Sequence, residues 1–114
     1  MAELIDAATF KALQETAGAD FVGELVSAFL EEAPGMLKDL STAYAAGEAD
    51  KFKRAAHSLK SNGLTFGAMS LAAMAKDLEL TGLEGVKARG GDPVAAITAE
   101  VDRASDALKG LVRA

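Results

Sequence analysis

An all-α fold is predicted: an up-down four-helix bundle with a short additional N-terminal helix. Three features predict it. Ala, Leu, Lys and Glu dominate while β-branched residues are few, a composition that favours helix. Apolar residues recur in alternating steps of four and three, through Val22, Val26, Phe29, Ala33, Met36, Leu40 and Ala43, and again through Val94, Ile97, Val101, Ala104, Leu108 and Leu111. That spacing is the buried seam of a helix packed in a bundle. The breaks between stretches are short, and short connections between long helices make neighbours antiparallel.

Each element follows from its punctuation. Asp6 caps a short helix over about Ala7 to Ala17, which Gly18 ends. Asp20 caps the second helix, which reaches about Ala46 before Gly47. Pro34 lies inside that pattern and removes one ladder bond, so a kink near Leu30 is expected, not a break. The third helix runs from about Ala49 to Phe66, and the fourth from Gly67 past Leu80, with Gly82 and Gly85 fraying its end. Gly90-Gly91 is a turn, after which Asp92 caps the last helix and Pro93 takes its first position, where a missing N–H costs nothing.

Composition narrows the function. The chain has 114 residues, 50% hydrophobic and 25% charged, which is enough apolar material for one core and too much for a disordered segment. A single domain over residues 1–114 is expected. There is no cysteine and one histidine, so disulfides, thiolate zinc sites, cysteine nucleophiles and multi-histidine metal sites are excluded. A net charge of −5 with a single tyrosine and no tryptophan makes nucleic acid a poor partner. Met1 to Asp6 carry no basic leader, and no apolar run approaches the roughly 20 residues needed to cross a bilayer. A cytoplasmic, monomeric domain without membrane association is expected, and Met1 with a tapering C-terminus favours a free-standing chain. The glycines at 82, 85, 90 and 91 follow no strand and read as helix-end punctuation, not a phosphate loop. The carboxylate pairs Glu31-Glu32 and Asp20 with Glu24 read as solvated helix faces. Met36, Met69 and Met74 read as core or surface filler.

The single histidine lies in the third helix. On a helical wheel of about 100° per residue, Phe52, Ala55, Leu59, Asn62 and Phe66 fall opposite His57 and form the core face. Lys53, Lys60, Ser61 and Leu64 surround it on the other side. This placement weighs against a packed core histidine, although an ordinary solvated histidine fits the spacing equally well. The fitting chemistry is nucleophilic: a neutral imidazole nitrogen can attack phosphorus and hold a phosphoryl group. An exposed imidazole is mostly neutral at cytoplasmic pH. Lys60, one turn on, can neutralise the bound phosphoryl group, and the small Ser61 leaves room for an approaching protein. Leu64, two turns along on the same side, is either an exposed contact residue or tucked against a neighbouring helix.

His57-Ser58-Leu59-Lys60, followed by small residues and then Phe66-Gly67-Ala68, resembles the signature of the histidine-containing phosphotransfer (HPt) domain family. That signature reads H-x-L-K-G-S/A-S/A, with an apolar-Gly pair nine and ten residues after the histidine. Gly47-Glu48 stands where the family has its turn, and Leu71 to Glu79 is similar to the family's following helix, which carries a terminal Glu or Gln. The chain departs from the pattern at Ser61, where the family has glycine, and at Asn62 and Gly63. Ser61 and Gly63 remain small enough to keep the histidine accessible. Asn62, towards the core edge, is expected to hydrogen-bond a neighbouring helix or the backbone.

The resemblance implies a phosphocarrier, not an enzyme with its own ATP site. It would relay phosphoryl groups between receiver-domain aspartates of hybrid histidine kinases or response regulators. By that resemblance His57 is the phosphoacceptor through Nε2, Lys60 the phosphate-side cation, and Glu79 the group that accepts from Nδ1–H. Glu79 has an alternative as a surface glutamate pairing with Lys76 or Lys87. No cofactor is implied for this chain, since Mg²⁺ belongs to the receiver. The receiver footprint is expected to be centred on His57, apolar towards Leu64 and basic towards Lys53 and Arg54. Two other function classes stay open at this stage: an interaction bundle in which His57 is incidental or carries no phosphate, and a hydrolase pairing His57 with a serine. The hydrolase lacks any marked acid or oxyanion hole.

Overall fold

A computed structural model describes residues 4–113, except for the side chain of Arg113; Met1 to Glu3, the first half of the segment read for a basic leader, and Ala114 lie outside the described residues. Five helices follow in order: α1 (Ala7–Ala17), α2 (Ala19–Ala46), α3 (Ala49–Phe66), α4 (Met69–Arg89) and α5 (Pro93–Arg113). No strand occurs among the described residues. α2, α3, α4 and α5 pack in a closed ring, each against two neighbours, and α1 lies over α2 and α3. The α3–α4 interface is the most extensive.

The expected seams are the core. Val22, Val26, Phe29, Ala33, Leu40 and Ala43 of α2 meet Phe52, Ala55, Leu59 and Phe66 of α3, with Ile97, Val101, Ala104 and Leu108 from α5. Phe29 and Phe66 stack tilted with ring centroids 5.6 Å apart. The α5 seam closes at Leu108 and not at Leu111, which is 41% exposed on the helix's last turn. Asp6 caps α1 as expected, its carboxylate accepting from the Thr9 N–H at 3.0 Å. Asp92 does the same for α5 through the Ala95 N–H at 3.0 Å.

Three boundary expectations need correction. Gly18, not Asp20, is the N-cap of α2; Asp20 lies within the first turn, where a negative charge faces the positive helix end. α2 runs unbroken through Pro34, as expected. α4 starts at Met69 because Gly67 is the C-cap of α3, in the left-handed region at φ +79°. The Gly67 carbonyl also accepts the Asp6 N–H at 2.7 Å, which ties the start of the chain to the α3–α4 turn.

α4 does not fray at Gly82 and Gly85. Gly82 alone leaves helical geometry, at φ +79° and ψ 164°, and the chain resumes its helix to Arg89. Arg89 spans this break. Its guanidinium donates to both Asp77 oxygens, at 2.8 and 3.2 Å, and to the Thr81 hydroxyl at 2.5 Å. A bidentate pair of this kind holds the two halves of α4 in one arrangement. No helix among the described residues is long and apolar enough to cross a membrane.

Candidate functional site: a histidine on the α3–α4 face

Burial of Phe52, Ala55, Leu59 and Phe66 fixes the rotation of α3, and that rotation decides where His57 emerges. Its side chain is 58% exposed, so it is not a packed core histidine. Across the helix interface stands Glu79, whose side chain is 11% exposed. Glu79 Oε2 lies 2.7 Å from His57 Nδ1, and Glu79 Oε1 lies 2.6 Å from Lys60 Nζ. One carboxylate of α4 therefore holds two side chains one turn apart on α3.

The electrostatics follow from that geometry. The hydrogen bond from Lys60, and then that from His57, hold the Glu79 carboxyl below the usual carboxylate range, against the opposing effect of its partial desolvation. An ionised carboxylate only accepts hydrogen bonds, so the proton of a neutral imidazole sits on Nδ1. The lone pair is then on Nε2, on the far side of the ring from Glu79. Glu79 is thus not a surface residue paired with Lys76 or Lys87; the Lys87 ammonium instead lies over the Tyr44 ring, 5.3 Å from its centroid.

The other expected site residues divide. Ser61 is exposed on the histidine's side of α3. Gly63 is not an access position. It is buried, and a Cβ there would stand 3.0 Å from the Ala72 backbone nitrogen, so its smallness serves the close approach of α3 to α4. Asn62 finds the expected backbone partner, donating to the Ser58 carbonyl at 2.9 Å. Leu64 is 50% exposed and is not tucked against a neighbour.

Leu64 forms one wall of a groove of about 340 Å³ between α3 and α4, lined by Lys60, Leu64, Met69, Ala72, Ala73 and Lys76. Lys53 and Arg54 are exposed one turn before the histidine. Arg54 faces a second groove, between α2 and α3, which it shares with Asp39, Glu48 and Lys51. His57 therefore rides a ridge with an apolar groove on its α4 side and a charged one on its α2 side.

Met69 and Lys76 had no place in the expected site. Met69, 44% exposed, lies at the surface and not in the core, and it lines the same groove as Leu64. The spacing Met69, Ala73, Lys76, Leu80 marks one outward stripe on α4, and Leu80 is 71% exposed. That stripe is visible in sequence; its position beside Leu64 depends on the α3–α4 pairing. Among the described residues no group of His, Asp and Glu side chains could hold a metal ion.

Comparison with known proteins supplies independent findings. No curated protein matched by sequence. The solved structures include the crystal structure of histidine-containing phosphotransfer protein B (HptB) from Pseudomonas aeruginosa PAO1, which is 26% identical, with a TM-score of 0.87 over 99% of this chain and 97% of that one. The Hpt domain model matches residues 24–111, a span that contains α3, α4, the histidine and its glutamate. With an outward histidine on a helical bundle and a family match over most of its length, this chain belongs to the Hpt domain family, the histidine phosphotransfer proteins of phosphorelays.

Proposed function

We propose that this domain carries a phosphoryl group on Nε2 of His57, taking it from the aspartate of one receiver domain and passing it to that of another. The observation that carries the reading is the 2.7 Å contact between Nδ1 and Glu79, which directs the lone pair to Nε2 on a side chain that is 58% exposed. In the transfer step the Nε2 lone pair attacks phosphorus. The N–P bond forms, the P–O bond to the donor aspartate breaks, and that carboxylate leaves with the electron pair. The reverse step delivers the group onward. The ring keeps its Nδ1 proton throughout, and Glu79 offsets the positive charge the ring acquires.

Lys60 supplies the cation for the phosphoryl oxygens. Leu64, with Lys53 and Arg54 towards the other end, meets the receiver. The groove beside Leu64 extends the apolar part of that footprint to Met69. The Mg²⁺ and the acidic pocket belong to the receiver, and no ATP site or cofactor is needed on this chain, which acts as a cytoplasmic monomer. The test is incubation with a receiver carrying labelled phosphate. Acid-labile, base-stable label on this chain supports the reading, and label that never leaves the receiver refutes it.

A further inference from the structure

Glu79 carries one negative charge and serves two partners, Lys60 Nζ at 2.6 Å and His57 Nδ1 at 2.7 Å. In the unloaded domain this count balances: one carboxylate, one ammonium and a neutral ring. Loading changes the count. Once the Nε2 lone pair is committed to phosphorus and the ring keeps its Nδ1 proton, the ring is cationic and the phosphoryl group brings two negative charges. If Lys60 stayed on Glu79, that carboxylate would face two cations while the phosphoryl group had none from this cluster.

We propose that Lys60 exchanges partners on loading, leaving Glu79 for the phosphoryl oxygens, so that Glu79 becomes the sole counterion of the phosphorylated ring. The proposal rests on the phosphocarrier reading of His57. Three features of the site support it. Lys60 and His57 both reach one carboxylate from positions one turn apart, so the two destinations of the ammonium lie within the swing of one flexible side chain. Lys60 is 23% exposed, hence neither locked in the core nor fully hydrated. Glu79 is held ionised by both neighbours, so it retains its charge when one of them departs. The consequence is that Lys60 is no standing anion site: its charge is masked until phosphorus arrives.

The test loads the full chain with phosphoramidate, a small-molecule donor. Its phosphorus takes the Nε2 lone pair, the P–N bond to the donor breaks, and ammonia leaves with a solvent proton. Phosphorus NMR reports the new N–P bond, while nitrogen and carbon NMR follow Lys60 Nζ and the Glu79 carboxyl. Both signals are expected to move on loading. In Glu79→Gln the Lys60 signal should start where an unpaired lysine stands and still move on loading. Lys60→Met should shorten the half-life of the N–P bond by about two- to fivefold, the scale of one partly exposed charge pair. Unmoved Lys60 and Glu79 signals beside a full N–P peak overturn the exchange and leave the phosphocarrier reading standing. Absence of an N–P peak in the unmodified sequence, or its persistence in His57→Gln, overturns both.

Discussion

Glu79 reaches His57 across a helix interface: Oε2 stands 2.7 Å from Nδ1 although 22 residues separate the two in the chain. The histidine's tautomer is therefore decided by α4, not by the helix that carries it. A tertiary contact, and not the local motif, leaves the ring's lone pair on Nε2.

His57→Gln should abolish label transfer and leave the bundle folded. The side chain is mostly exposed and lies opposite the buried stripe, so the stability change should fall within about 0.5 kcal/mol. Helical circular dichroism and a receiver transfer assay check the two halves. A mutant that still accepts phosphate at a comparable rate removes His57 from the role of acceptor.

Leu64→Glu should weaken receiver binding with little change in melting temperature. Leu64 is 50% exposed, so no core contact is lost, while a carboxylate on the groove wall would repel an acidic receiver mouth. A titration against the receiver, run beside a melting curve, distinguishes this from a folding defect. A large fall in melting temperature with intact binding would place Leu64 in the core.

Gly63→Val should destabilise the domain by about 1–3 kcal/mol, the usual scale of overpacking a tight interface. A Cβ at this position already meets the Ala72 backbone nitrogen at 3.0 Å, and a backbone helix cannot yield as a side chain end can. Urea unfolding measures the loss. An unchanged midpoint would show that α3 and α4 separate without cost.

Among the described residues three carboxyls sit below their ordinary range: Asp6 through the Thr9 hydroxyl and then the Thr9 N–H, Asp77 chiefly through Arg89, and Glu79 through Lys60 and then His57. Each binds its proton less readily folded than unfolded. Their contribution is therefore fully present above the ordinary carboxylate value of about 4 and is lost as pH falls through the lowered folded values. Stability should be flat with respect to these groups from pH 7 to 5 and decline below about pH 4. Urea midpoints across that span check the sign, and a midpoint that rises from pH 5 to 3 contradicts it.

The bundle was legible because its core residues repeat at helical spacing, and α3 could be rotated correctly from Phe52, Leu59 and Phe66 alone. The exposure of His57 and Leu64 followed from that rotation. Gly63 was misread because a wheel for one helix shows which way a position points, not how near the neighbouring backbone comes. Lys60 was placed beside the histidine correctly, yet its engagement with Glu79 depends on where α4 lies. Asp20 was mistaken for a cap because capping depends on backbone geometry one or two residues either way, and Gly18 takes that geometry here. Gly82 reads as a helix end in the sequence because the bridge from Arg89 back to Asp77 spans positions that no local pattern connects.

The contact between Gly63 and Ala72 lies roughly two turns from the histidine–glutamate pair, about 9 Å along α3 at 1.5 Å per residue. It acts as a feeler gauge between the two rods. A hydrogen bond of 2.7 Å tolerates little widening before it weakens, so a side chain at position 63 that pushed the helices apart would loosen the hold of Glu79 on Nδ1. Ring-nitrogen NMR on Gly63→Val should then show a mixture of tautomers in the fraction that remains folded, and a single unchanged tautomer there would show that the spacing at Gly63 does not reach the histidine.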